Sequence, residues 1–133
     1  VRKADLSRLK AAPVFGPWQA TVVDVHDGDT VRVLIDLGFS VRYAADVRLL
    51  GLNAIELGDP GGIEAKAHLQ GLLTGPVTVS TVKPDKYGGR YDAVLTTADG
   101  ANINNKMVAD GYAAPWNGAG PKPVPPWPIP AKP

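Results

Sequence analysis

Residues 24–37 read DVHDGDTVRVLIDL, and the class of the fold turns on them. Val31, Val33, Ile35 and Leu37 alternate with Thr30, Arg32, Leu34 and Asp36. That period of two puts the first set on one face of a strand and the second on the other. The preceding WQATVVDVH (18–26) also has strand-forming composition. Asp27-Gly28 lies between the two runs, and such a dipeptide closes tight hairpins because glycine accepts the backbone angles they need. The chain therefore enters its core through an antiparallel hairpin.

Working outward, GFSVRYAA (38–45) reads as an extended connection and DVRLLGL (46–52) as a third strand. The loop NAIELGDPGG (53–62) leads into IEAKAHLQGLLTGP (63–76). There Ala65, Leu69, Leu72 and Leu73 share one helical face, and Gly75-Pro76 supplies the stop. VTVSTV (77–82) is a fourth strand, KPDKYGGR (83–90) a turn, and YDAVLTT (91–97) a fifth strand. ADGAN (98–102) turns into a short helix, INNKMVAD (103–110), which Gly111 can cap. Three strands, a helix, two strands and a helix suit an α+β, mainly β fold: a five-stranded Greek-key barrel of the OB type with two packed helices. Such barrels commonly bind nucleic acids or oligosaccharides on one face, a prior that rests on fold analogy.

The expected organisation is an N-terminal arm (1–16), basic and helical at ADLSRLKAA; a folded domain (17–118); and an extended Pro-rich C-terminal tail (119–133). The tail holds too much proline for a helix or sheet interior and samples polyproline II. It reads either as a docking peptide for a protein partner with an aromatic-lined groove, or as a linker or tail lying on its own domain.

At 133 residues the chain suits one domain. Its apolar runs are too short and too often charged to span a bilayer, so no membrane role is expected. No apolar segment follows the basic N-terminus, which favours a cytoplasmic protein; a trimmed mature chain is the other case. Val1 fits a trimmed end or an alternative start codon. The absence of cysteine excludes disulfides, thiolate zinc sites and a cysteine nucleophile. His26 and His68 are in no ligand spacing. A net charge of +1 excludes a basic nucleic-acid coat but leaves room for a local basic patch.

Four features carry candidate chemistry. In HDGDT, Asp27-Gly28 is a plain hairpin turn with Asp29 a solvated carboxylate beside it, or the turn and a neighbouring strand end supply oxygen donors for a hard cation such as Ca²⁺. Arg48, followed by Leu49, Leu50 and Leu52, needs an anionic partner against the barrel wall. That partner is a structural carboxylate such as Asp46 or Asp36, or a phosphate gripped by the guanidinium fork. Glu56 is a loop carboxylate at the sheet's edge. Lys86, Tyr87 and Arg90 in DKYGGRY form an ordinary Gly-rich hairpin, or a second phosphate clamp with a ring for a base. Together an acidic turn, an Arg and a Glu bracketing one strand end, and a second Arg are what metal-assisted phosphodiester hydrolysis needs.

VHDGDTVRV, VRLLGLNAIE, GIEAKAHLQGLL, DKYGGRYDAVL and DGANINNKMVADGYA, in this order between Ala20 and Trp116, resemble the staphylococcal nuclease (thermonuclease) family. The resemblance implies an OB barrel with packed helices and a Ca²⁺-dependent nuclease acting on DNA and RNA. It implies that Asp29 binds the metal, that Arg48 and Arg90 grip phosphate and transition state, and that Glu56 is the general base for water. Lys86 and Tyr87 match residues bordering the nucleotide pocket. Trp116 and Tyr112 are candidate stacking residues, with core packing favoured for Tyr112. The chain departs from the family at Asn53, where a second metal-ligating Asp is expected, and at Ala54, which replaces a Thr that ligates through its carbonyl. Ile55 replaces the Pro usual before the Glu, and Gly89 is an extra residue before Arg90, absorbed in the turn.

Asn53 can still offer a carbonyl oxygen but no charge, so weaker metal binding is expected, and Mg²⁺ or another divalent ion becomes an alternative to Ca²⁺. The expected protein is a monomeric endonuclease with little sequence preference; a small cytoplasmic nuclease of a phage fits. The alternative is a non-catalytic module of the same fold that binds single-stranded nucleic acid or a protein partner.

Overall fold

The structure, a computed structural model, describes residues 15–84 and 90–125. Strands β1 (Phe15–Val25), β2 (Thr30–Gly38) and β3 (Val41–Leu49) form an antiparallel meander. Two short elements follow, strand β4 (Leu52–Ala54) and helix α1 (Gly62–Leu72). Strands β5 (Val77–Pro84) and β6 (Tyr91–Thr97) make a second antiparallel pair, and helix α2 (Ile103–Ala109) and strand β7 (Ala113–Pro115) complete the order. The five long strands close into a barrel in the order β1-β2-β3-β6-β5, with β5 returning to β1. Closure depends on one parallel pairing, β3 on β6, with Val47 opposite Tyr91, Arg48 opposite Asp92 and Leu49 opposite Ala93. A parallel pair needs a long crossover, and α1 is carried in it. This is the expected five-stranded, mainly β barrel of the OB type with two helices.

The period of two read in β2 is the pattern of its burial. Val31, Val33 and Ile35 lie inside the barrel with Val47, Leu49, Val79 and Leu95. Leu69 of α1 and Ile103 and Met107 of α2 join the same core. Leu37, the last residue of the alternating set, has left the barrel and is exposed.

Two segments differ from the sequence reading. GFSVRYAA was expected as a connection, yet Val41–Ala45 continue β3 and pair with β2 as far as Gly38. The hairpin runs past the end of the barrel, where Val41 and Tyr43 are exposed and the ring of Phe39 is wholly so. With neither face covered, burial imposes no alternation there. Its turn places Phe39 and Ser40 at φ 54 and 63, so the usual glycine signal is largely missing. The third strand was expected to run to Leu52, but it stops at Leu49. Gly51, at φ 87, turns the chain, and Leu52–Ala54 pair instead with β7. Three-residue strands are too short to show a period.

Helix α2 is locally specified. Asn102 caps its first turn by accepting from the Asn105 N–H at 3.0 Å. Gly111, at φ 89, ends it in a left-handed cap whose Tyr112 N–H donates to the Met107 carbonyl. Within it, Asn104 is buried and bonds three backbone groups outside the helix. Its Oδ1 accepts from Leu95 N–H at 3.1 Å, and its Nδ2 donates to the carbonyls of Leu50 (3.0 Å) and Ala93 (2.9 Å).

The two helices are also latched to each other. His68 Nε2 of α1 lies 2.6 Å from Asp110 Oδ2 just past α2, Lys106 Nζ is 3.0 Å from Asp110 Oδ1, and the His68 ring stacks on Tyr112. Burial pushes the Asp110 carboxyl up, but hydrogen bonds from His68 and Lys106 outweigh it and hold it below its ordinary 3.8. A lowered carboxylate contributes stability above its unfolded value and loses it as pH falls through the folded one. Asp110→Asn is therefore expected to lower Tm at neutral pH and to remove part of the acid sensitivity below pH 3.8. Melting curves from pH 2 to 7 read this, and parallel profiles for the two proteins would show that the latch carries no such linkage.

Among the described residues no helix is long and apolar enough to cross a membrane. The basic arm with its expected helix, Lys86, Tyr87 and residues 126–133 of the tail lie outside the described residues.

Candidate active site

The Asp27-Gly28 turn is shaped from within. Asp27 Oδ1 accepts the Asp29 N–H at 3.0 Å, and Gly28 sits so close to Ala54 that an added Cβ would come within 2.8 Å of the Ala54 methyl. The turn is thereby seated on β4. Asp29 Oδ2 accepts the Ala54 N–H at 3.0 Å, and its Oδ1 accepts from the Thr30 hydroxyl at 3.2 Å. Arg48 comes from β3, directly opposite Thr30, and its Nη2 lies 3.6 Å from Asp29 Oδ2 and 3.4 Å from the Leu52 carbonyl oxygen. The anionic partner of Arg48 is thus Asp29. Asp46 and Asp36, the structural partners considered from sequence, are taken elsewhere: Asp46 by Arg32 at 3.2 Å, and Asp36 by the Gly38 N–H.

Asp27 has a perturbed carboxyl. Burial, and then the neighbouring Asp29 charge, raise its pKa to about 6. Asn53, only 2% exposed, donates from Nδ2 to the Pro123 carbonyl at 3.1 Å, and its Oδ1 is buried with no hydrogen-bond partner among the described residues. Two crowded carboxylates and an unsatisfied amide oxygen are hard donors that suit a divalent cation. No cluster of three or more His, Cys, Asp or Glu exists among the described residues, so any such cation would rely on amide, carbonyl and water oxygens as well.

Glu56 lies in the exposed loop after β4, and Lys122 Nζ is 3.4 Å from its Oε1. The loop is pinned by Gly62 at the start of α1, where a Cβ would fall 1.9 Å from the Glu56 carbonyl oxygen. Only glycine permits that approach. Arg90 precedes β6 and is half-buried. It immediately precedes Tyr91, which pairs with Val47, so Arg48 and Arg90 come from the two sides of one parallel seam. Trp116 follows β7, its N–H donating to the Gly51 carbonyl, with the Arg48 guanidinium 5.5 Å from its ring centroid. Tyr112 packs against the core and stacks on His68, in line with the packing role favoured for it. Asp29, Arg48, Asn53, Ala54, Glu56 and Trp116 are thus linked through direct contacts or chain neighbours at one rim of the barrel.

Residues 46–122, more than half of the chain, match the family described as staphylococcal nuclease homologue. The chain belongs to this family. Proteins similar to it include one of Shigella flexneri named micrococcal nuclease, 32% identical over 113 residues, 79% of this chain and 62% of that one. Another is an uncharacterized endonuclease of Escherichia coli, 31% identical over 104 residues, 72% of this chain and 64% of that one. A third, Protein ParB of Escherichia coli, is 30% identical over 111 residues. The chain spans under two thirds of the length of these relatives.

Within this staphylococcal nuclease homologue, sequence reasoning missed two groups. Asp27 was read only as part of the turn, although its separation of two from Asp29 already puts both carboxylates on one short loop. Lys122 carries no sequence signal, because its approach to Glu56 depends on how the segment after Trp116 folds back.

Proposed function

We propose that this chain is a divalent-cation-dependent nuclease that hydrolyses phosphodiester bonds of DNA, RNA or both. The observation that carries the reading is the joint presence of Arg48 and Asp29 in contact, with Glu56 on the loop after β4, whose Ala54 N–H donates to the same Asp29. Asp29, the Asn53 Oδ1 and the Ala54 carbonyl would hold the cation, with Asp27 beside them. Ca²⁺, or Mg²⁺, when bound there supplies positive charge that polarises a phosphate oxygen. Arg48 and Arg90 donate to the phosphate oxygens and neutralise charge as it develops. Glu56 takes a proton from the attacking water, and in-line displacement expels the 5′ oxygen, leaving a 3′-phosphate. Trp116, Lys86 and Tyr87 contact base and sugar. Contacts of this kind read phosphate and ring faces, so sequence preference is weak and salt inhibits.

The deciding experiment incubates the protein with single- and double-stranded DNA and RNA, with Ca²⁺, with Mg²⁺ and with chelator. Cleavage that chelator abolishes is expected. Binding without cleavage in every condition would leave the non-catalytic module.

The raised Asp27 carboxyl makes the cation linkage testable. Between 3.8 and about 6 the folded chain keeps a proton that the unfolded chain has lost, so without cation stability falls as pH rises through that window. A cation expels that proton, so Ca²⁺ affinity should weaken as pH drops below about 6. Calorimetric titration in two buffers of different protonation enthalpy counts the proton; identical heats would refute the linkage. Separately, Asn53→Asp adds a carboxylate and is expected to lower the Ca²⁺ concentration for half-maximal activity, about tenfold if the charge is worth about 1.4 kcal/mol. Superimposable activation curves would remove Asn53 from the ligand set.

A further inference from the structure

The segment after β7 does not leave the barrel. Trp116 is fixed to Gly51 through its backbone, and its Nε1 donates to the Ala119 carbonyl at 3.0 Å. Ala119 N–H donates to Asn117 Oδ1 at 2.9 Å, and Gly118 and Gly120 adopt φ 86 and 73. These contacts reverse the chain and return Lys122 and Pro123 to the rim that carries the candidate site. There Lys122 Nζ reaches Glu56 and lies 5.8 Å from the Trp116 ring centroid, while the Pro123 carbonyl accepts from Asn53 Nδ2.

We infer that residues 117–125 form an intramolecular strap that competes with nucleic acid for this site. The inference rests on the nuclease reading above and adds a regulator to it. The strap engages three groups that a substrate would need. Lys122 neutralises the carboxylate proposed as base, Lys122 and Arg48 share the Trp116 ring, and Pro123 holds the amide of Asn53. It also accounts for an amide at position 53, because an aspartate there could not donate to the Pro123 carbonyl. The latch is weak by construction. The Lys122–Glu56 pair is about half exposed on both sides, and exposed pairs contribute little. A polyanion can therefore displace it, and Lys122 is left free to meet solvent when it does.

The test uses the full chain and Lys122→Gln, an exposed substitution that leaves the core untouched. A fluorescein-labelled single-stranded oligodeoxynucleotide is titrated in chelator, so that nothing is cleaved, and anisotropy gives Kd across a salt series. The strap predicts that Lys122→Gln binds roughly two- to fivefold more tightly than the parent although it has lost a positive charge. Weaker binding, with a shallower dependence of log K on log salt, would make Lys122 an ordinary phosphate contact and overturn the strap. Equal Kd values would overturn it too, leaving the nuclease reading intact. No binding by either protein at low salt would also overturn the strap, since there would be nothing for it to compete with, while the cleavage assay with Ca²⁺ and Mg²⁺ decides the nuclease reading separately.

Discussion

Arg48→Ala is expected to slow the proposed phosphodiester cleavage by about 10²–10³-fold, the usual loss when one donor to a developing negative charge is removed. Arg48 is placed to act this way because β3 delivers it to the barrel rim already oriented by Asp29 and the Leu52 carbonyl. A guanidinium so held gives up little freedom when it meets phosphate. The same contacts mean that the substitution also strips Asp29 of its cation, with a stability loss of about 1–3 kcal/mol. Assays well below the melting temperature separate the two effects. Arg48→Lys separates them chemically: it keeps a charge near Asp29 but loses the planar fork, so stability should recover more than turnover. A folded Arg48→Ala protein that cleaves within a few-fold of the parent would exclude Arg48 from the reaction.

Asn104→Leu is expected to destabilise the fold by about 3–5 kcal/mol. Leucine keeps the branched skeleton of asparagine but is bulkier, so lost hydrogen bonds dominate with some overpacking added. The Leu95 N–H and Leu50 carbonyl would lose their bonds to Asn104, and the Ala93 carbonyl would keep only the one from Leu50 N–H. Each buried group stranded in this way costs about 1–3 kcal/mol. Asn104→Asp discriminates further. Its carboxylate can still accept from Leu95 but must face two carbonyl oxygens, so its instability should grow as pH rises and the group ionises. Denaturant melts at pH 5 and pH 8 read both effects. A loss below about 1 kcal/mol in the leucine variant would mean that solvent reaches these groups.

How much was legible from sequence differed with the physical reason for each element. Val31, Val33 and Ile35 gave β2 away because one face is dry and the other wet. Ala65 and Leu69 gave α1 away by the same logic at a helical period. Val41 to Ala44 did not, since a hairpin projecting into solvent has no dry face to impose a pattern. Leu52–Ala54 and Ala113–Pro115 are too short for any period to register. In the candidate site, the order of short motifs picked out Asp29, Arg48, Asn53, Ala54 and Glu56 as residues that meet at one rim. Their pairing was hidden. Asp46 is nearer to Arg48 in sequence than Asp29 is, yet it lies opposite Arg32 across β2 and β3 and is consumed there. The return of Lys122 to Glu56 was hidden for a different reason: it depends on a glycine-assisted reversal in a segment that composition alone marks as extended.

The single parallel seam between β3 and β6 bears on how the molecule comes into being. Val47–Leu49 and Tyr91–Ala93 are the most distant in sequence of the neighbouring strands in the order β1-β2-β3-β6-β5, apart from the β1–β5 seam. Joining them requires closing a long loop, while the β1-β2-β3 meander and the β5-β6 hairpin can form locally. The proposed phosphate clamp draws one arginine from each side of that seam. A chain that has formed its hairpins but not this seam is therefore mostly β and yet lacks the paired arginines of the proposed site, so the return of cleavage during refolding would time this long-range closure rather than the gain of secondary structure.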